Sequence, residues 1–226
     1  MGRPALIVAL LLVAPLAAAQ QGTVKGEVLL SVQGPDGKSV PKADRSGVVV
    51  YLTGYTEPPP AEPAVMAQRN KTFTPGVLPI VAGQKVKFSN DDVVMHNVFS
   101  RSRAGKFDAG KNRPGESYTE AFKKTGIVDV YCDIHEQMVA TVVVVPNRAF
   151  AVTGPDGRFV LTGVPPGSYP LFAVHRRDAR SEVVRTEVIV EPGKQTTVRL
   201  QLQETQQDEG HLDKSGRKYT PRSDAY

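Results

Sequence analysis

Ile127-Val128-Asp129-Val130-Tyr131-Cys132-Asp133-Ile134-His135-Glu136-Gln137-Met138, followed by Val139-Ala140-Thr141-Val142-Val143-Val144-Val145, decides how the rest of the chain is read. The β-branched residues on either side of the polar loop suit a pleated, half-buried surface and are poor helix formers. Alternation over 127–131 is imperfect, as expected of a strand packed partly on both faces. The run 139–145 is almost continuously apolar, which predicts a central strand of a sandwich. Between the two strands, Cys132, His135 and Met138 place a thiol, an imidazole and a thioether at spacings of three.

Working outward, strands are predicted near 64–68, 77–81, 84–89, 96–100, 116–123, 127–132 and 138–145, making 64–146 one strand-rich block. Phe122-Lys123-Lys124-Thr125-Gly126-Ile127 reads as a hairpin turn. His96 lies 36 residues before Cys132, just after the loop signal Ser89-Asn90-Asp91-Asp92. A sandwich gathers loops at one end, so His96 can meet the Cys132 loop.

The flanks have another texture. Residues 23–55 read as two or three strands around the turn Gly34-Pro35-Asp36-Gly37, with Val48-Val49-Val50-Tyr51-Leu52 as one of them. Glu57 to Pro63 contains four prolines and reads as a stiff connection. Residues 148–202 repeat the turn as Gly154-Pro155-Asp156-Gly157 and carry four or five strands, ending in two alternating strands at 183–190 and 196–202. Two or three strands cannot bury a face alone, and about 55 residues is small for a sandwich. Joined, 22–55 and 148–202 make one domain interrupted by 64–146; two sandwiches in tandem is the alternative. The tail 203–226 is polar, carries both charge signs and is expected to be flexible.

Composition narrows the class. The 226 residues carry 28 Lys+Arg against 23 Asp+Glu, a net charge of +5, and are 40% hydrophobic, which argues for packed cores. The bases are interspersed with acids and no recognition motif accompanies them, so nucleic acid is not an expected partner. Arg3, the apolar run Ala5–Leu16 and Ala17-Ala18-Ala19 make a secretory signal peptide over 1–19, cleaved after Ala19; an uncleaved anchor is the other reading. The mature chain has no run long enough to span a membrane as a helix. Export to a periplasm or the cell surface follows. Cys132 is the only cysteine, and a lone thiol in an oxidising compartment must be buried, paired between chains or metal-bound.

Two imidazoles, a thiolate and a weak axial thioether constitute a blue-copper donor set. Soft sulfur favours Cu(I), imidazole suits both oxidation states, and a compact donor set changes little on electron loss. Zinc is the competitor, but thioether is not among its usual ligands. Taken singly, each residue has a plainer role: a surface or core His, a core Met, a buried thiol. His175, at a strand end beside Arg176 and Arg177, is expected to be an exposed His, and His211 a residue of the polar tail. No nucleophile–base–acid set is evident, so no enzyme is expected. Between Arg101 and Arg113 lie five bases against Asp108 alone; such a patch either is a solvated loop or steers an acidic redox partner.

On Phe73-Thr74-Pro75, Val81 to Asp92, His96-Asn97-Val98 and the Cys132 loop, residues 65–146 resemble a cupredoxin of the amicyanin/plastocyanin type. The resemblance implies one type 1 copper held by His96, Cys132 and His135 with Met138 axial, and Asn97 bracing the two ligand loops. Departures are Met95 before the first His, Glu136 after the second, and the extra carboxylate of Asp133, which leave potential and partner open. The motifs at 154–159 and 164–169, with Gly22-Thr23-Val24 and Pro41-Lys42-Ala43, resemble a carboxypeptidase regulatory-like (transthyretin-like) sandwich, a module without catalytic residues. The expected architecture is therefore all-β: two Greek-key sandwiches, the cupredoxin-like one inserted into or adjacent to the other. The expected function is an exported carrier of single electrons by Cu(II)/Cu(I) cycling. Copper storage or delivery, with Met66 and Met95 as further thioethers, and a copper-free adhesion or carbohydrate-binding module are the alternatives.

Overall fold

The computed structural model describes residues 20–34, 36–175, 184–204 and 211–219, and every regular element among them is a strand. The signal peptide expected over 1–19 lies outside the described residues. No helix is long and apolar enough to cross a membrane among the described residues. The first strands are β1 (Gly22–Gln33), β2 (Ser39–Pro41) and β3 (Val48–Leu52). The middle block supplies β4 (Ala64–Arg69), β5 (Thr72–Thr74), β6 (Val77–Val81), β7 (Lys85–Asn90), β8 (His96–Ser100), β9 (Phe107–Asn112), β10 (Ser117–Ala121), β11 (Gly126–Tyr131) and β12 (Val139–Val145). The last are β13 (Phe150–Val152), β14 (Arg158–Val164), β15 (Gly167–His175), β16 (Val184–Val190) and β17 (Gln195–Glu204).

The middle block forms two sheets, ordered β10-β7-β4-β5 and β6-β12-β11-β8-β9. In β7 the alternation is clean: Val86 and Phe88 turn inward and Lys85 and Lys87 outward. With Met66, Phe73, Val128 and Val142 they fill the space between the sheets. Burying each such side chain contributes about 1.5–3 kcal/mol before chain entropy is charged against it.

Besides the short β5, which was not expected, two features of the middle block differ from the sequence reading. Phe122–Gly126 is not a hairpin turn, because β10 and β11 belong to opposite sheets. Phe122 is 1% exposed in the core and its N–H bonds the Gln84 carbonyl, which carries the chain across from one layer to the other. The strand β9 was not expected, since Asp108 and Gly110 are poor strand formers. It is held by its ladder to β8, which includes His96 opposite Asn112 and Asn97 opposite Lys111.

The flanks form two further sheets, β14-β1-β17 with β2 beside β1, and β13-β3-β15-β16. Each sheet combines strands from both sides of the middle block. Strand β1 runs parallel to β17, from Thr23 opposite Gln195 to Val32 opposite Glu204, and antiparallel to β14. Gly26 is required there: a Cβ would lie 2.1 Å from the Val198 carbonyl oxygen. Val24, Val28, Val50, Leu161, Leu171 and Leu200 are among the residues that close the core between the two sheets.

The near-continuous apolar run of β12 has a specific cause. Its Ala140, Val142 and Val144 enter the middle core, whereas Val143 and Val145 pack with Val49 of β3 and Val174 of β15. β12 is therefore covered on both faces, one by its own sandwich and one by the other. The two chain crossings between the blocks are tied together as well. Asn147 donates from Nδ2 to the carbonyls of Leu52 and Tyr55, and the Arg148 N–H donates to Glu57. Beside this seam lies a cleft of about 560 Å³ whose lining includes Tyr51, Tyr55, Phe172, Val144 and Pro146.

Candidate metal centre

His96 opens β8, and Cys132, His135 and Met138 lie on the loop between β11 and β12. The loop is tight: the Cys132 N–H donates to the Met138 carbonyl at 3.2 Å and the Met138 N–H to the His135 carbonyl at 3.1 Å. Three donor atoms meet at this pole. His96 Nδ1 lies 3.1 Å from His135 Nδ1, and Cys132 Sγ lies 3.9 Å and 3.8 Å from those nitrogens. His96, Cys132 and Met138 are each 0% exposed, while His135 is half-buried at the rim. Met138 shares the apolar cluster that contains Cys132.

The spacing suits a small ion bound by all three. Bonds of about 2.0 Å to nitrogen and about 2.3 Å to sulfur place donors roughly 3.3–3.7 Å apart. The observed sides depart from that by a few tenths of an ångström. The remaining candidate donor is the thioether of Met138, buried in the same apolar cluster as Cys132, rather than a fourth strong ligand. That matches the two-imidazole, one-thiolate site with a weak axial Met better than a closed zinc site.

The donors are held from behind. Asp92 Oδ2 lies 3.1 Å from His96 Nε2, so the imidazole N–H on that side is directed at the carboxylate and Nδ1 presents its lone pair to the site. Asp92 is itself fixed, accepting from the N–H of Lys71 at 2.7 Å and of Val93 at 2.8 Å. The Lys71 bond holds the Asp92 carboxyl below its usual range against burial, the next largest effect, and the His96 contact adds to it. Burial pushes the His96 imidazole down and Asp92 partly offsets this. One turn back, Asn90 donates to the Val94 and Asn112 carbonyls and accepts from the Asp92 N–H, which ties the loop before His96.

Asn97 spans the gap between the two loops. Its Nδ2 donates to Asp108 Oδ1 at 2.8 Å and to the Gly110 carbonyl at 2.7 Å, and its Oδ1 accepts from the Asp133 N–H at 3.3 Å. Burial raises the Cys132 thiol above its usual range, opposed by the backbone N–H groups of Asn97, Ile134 and His135 near the sulfur. Metal binding would supply the missing charge compensation, because a coordinated thiol deprotonates.

Residues 64–145 match the family model described as copper binding proteins, plastocyanin/azurin family. This segment is a cupredoxin domain. Among solved structures, the chain is similar to a purple cupredoxin from Nitrosopumilus maritimus, at 26% identity over 36% of this chain and 99% of that one (TM-score 0.34). It is also similar to a copper-containing nitrite reductase from Thermus scotoductus SA-01, at 28% identity over 41% of this chain but only 24% of the reductase (TM-score 0.36). A Cu(I) amicyanin variant is 19% identical over 42% of this chain and 98% of its own (TM-score 0.35). No curated protein matches the chain.

Outside the cupredoxin domain's own strands, two histidines are not where the sequence placed them. His175 is 6% exposed rather than an exposed strand-end residue: Nε2 lies 3.1 Å from the Ser46 carbonyl and Nδ1 3.5 Å from Glu204. Lys42 binds the same Glu204 at 2.7 Å, so this cluster neutralises itself. Part of the expected flexible tail is also ordered against the domain. Within 211–219, His211 stacks on Tyr131 at 4.4 Å and the Tyr219 hydroxyl donates to the Cys132 carbonyl at 2.5 Å. Burial, then the neighbouring acidic groups, raise that hydroxyl far above its usual range, so it remains a donor. Asp92, Lys214 and Tyr219 are the site residues that sequence reasoning missed. Asp92 had a signal, four residues before a candidate ligand; the tail residues had none, because their partners are over eighty positions away.

Proposed function

We propose that this protein is an exported type 1 copper carrier that passes single electrons, with His96, Cys132 and His135 as the strong ligands and Met138 as the axial one. The observation that carries this is the convergence of two Nδ1 atoms and the one thiol within 4.8 Å of one another at a pole of a cupredoxin domain. Copper, when bound, supplies the Cu(II)/Cu(I) couple. The chain supplies a donor set whose positions are fixed before binding. Asp92 orients His96, Asn97 locks the Cys132 loop to β8 and β9, and the two loop hydrogen bonds restrain His135 and Met138. Small displacement of these donors on electron loss means a low barrier to transfer. Burial of His96, Cys132 and Met138 excludes water from all but the His135 edge, which is the natural side of approach.

The rest of the assignment extends this reading. The leader at 1–19 supports a periplasmic or secreted location. The exposed cations Arg101, Arg103, Lys106, Lys111 and Arg113 would steer an acidic redox partner, because β9 runs beside β8 and its ligand His96. The flanking strands of 22–55 and 148–202 would serve as one regulatory-like sandwich, interrupted by the cupredoxin domain and without chemistry of its own. Copper delivery is kept as a second reading on one observation: Met95, 39% exposed, adjoins His96 and could receive Cu(I). Met66 does not contribute, since it lies in the core on β4 and on neither ligand loop.

The test is addition of Cu(II) to the purified protein, read in the visible spectrum. An intense thiolate-to-copper band at one copper per chain, absent from Cys132→Ser, is expected. A colourless protein that retains only zinc would overturn the proposal. Repeated oxidation and reduction in the presence of a Cu(I) chelator separates the two readings: a carrier keeps its copper, a delivery protein surrenders it.

A further inference from the structure

The described part of the tail lies across the ligand loop. The Tyr219 hydroxyl donates to the backbone carbonyl of Cys132. The Lys214 N–H donates to Asp133 Oδ1 at 2.9 Å, and its ammonium lies 3.0 Å from Asp108 and 3.9 Å from Asp133. Asn97 ties the loops through the same two residues, donating to the Asp108 carboxylate and accepting from the Asp133 backbone N–H. His211, 7% exposed, fills the space between Tyr131 and Tyr219, with ring centroids 4.4 Å and 5.1 Å away. The segment closes on itself through Asp213, which accepts from the N–H groups of Ser215 and Arg217 at 2.8 Å. His211, Lys214 and Tyr219 thus reach the loop and its flank by stacking, by hydrogen bonding and by charge.

We infer that residues 211–219 form a strap that fixes the Cys132 loop and raises the reduction potential of the bound metal, with Lys214 and Tyr219 as positioning residues. Both place the positive end of a charge or dipole at the loop. Positive potential there disfavours the more highly charged oxidised ion. Lys214 also offsets Asp133, whose carboxylate alone would act in the opposite direction. Loss of either contact therefore favours the oxidised state and frees the loop. The potential rests on the copper reading; the restraint of the loop does not.

Two measurements on the full-length chain keep these apart. In metal-free protein, amide hydrogen exchange over 132–138 is compared between wild type, Tyr219→Phe and Lys214→Gln. Loss of one such hydrogen bond should speed exchange there by about fivefold, with exchange in β1 and β17 unchanged. In copper-loaded protein, both variants should keep the thiolate band and one copper per chain. Each should raise the Cu(II)/Cu(I) ratio at a fixed solution potential by about threefold or more. Unchanged exchange in both variants overturns the strap. Faster exchange with an unchanged ratio overturns its role in setting the potential. A wild-type chain that shows no thiolate band sinks the copper reading instead and the potential with it, while the exchange comparison still decides the strap.

Discussion

Each sandwich of this protein buries a cluster of titratable groups at the end of a strand, and the two clusters are built on opposite logic. In the flanking sandwich His175 faces a carbonyl and Glu204, and Lys42 completes the charge balance. These partners complement one another, so the cluster is a structural element. In the cupredoxin domain Asp92 takes the outer N–H of His96, and the inner nitrogen faces another imidazole nitrogen and a sulfur. All three atoms are possible metal donors and they converge on one point, which is why the same residue type is structural at 175 and a ligand candidate at 96.

The comparison can be broken most severely at Cys132. Cys132→Ser should abolish the charge-transfer band entirely, whereas His175→Asn should leave band and copper stoichiometry intact, both read by visible absorption. Next in size is Leu171→Ala, in the core of the flanking sandwich. It should cost about 2–5 kcal/mol in denaturant unfolding without altering the spectrum of the folded fraction. Asp92→Asn should weaken copper binding about 10–100-fold in a chelator competition, since it removes the carboxylate that orients His96 but no ligand. The smallest effect is expected from Arg101→Glu with Arg113→Glu. The electron-transfer rate with the native partner should fall, most at low ionic strength and hardly at all at high salt. An effect independent of salt would remove the steering role.

The cupredoxin domain was far more legible in the sequence than what surrounds it. Cys132, His135 and Met138 are close in sequence and chemically distinctive, so their spacing alone brought them together, and β-branched periodicity placed the strands that carry them. The turn at 154–157 could be read because it closes locally, the Gly157 N–H donating to the Gly154 carbonyl with Gly157 at φ 72°. Elsewhere the deciding contacts are distant. The burial of His175 depends on Glu204, the crossing at Phe122 depends on which sheet receives β11, and the packing of His211 depends on Tyr131. The valine run of 139–145 was read as a central strand, but nothing local could reveal that its second face rests on Val49 and Val174 of another sandwich.

Copper K-edge X-ray absorption on the loaded, oxidised protein tests the central claim most directly. The account predicts one short sulfur scatterer and two imidazole nitrogens, with the sulfur lost in Cys132→Ser. A shell made only of nitrogen and oxygen, identical in wild type and variant, would contradict it.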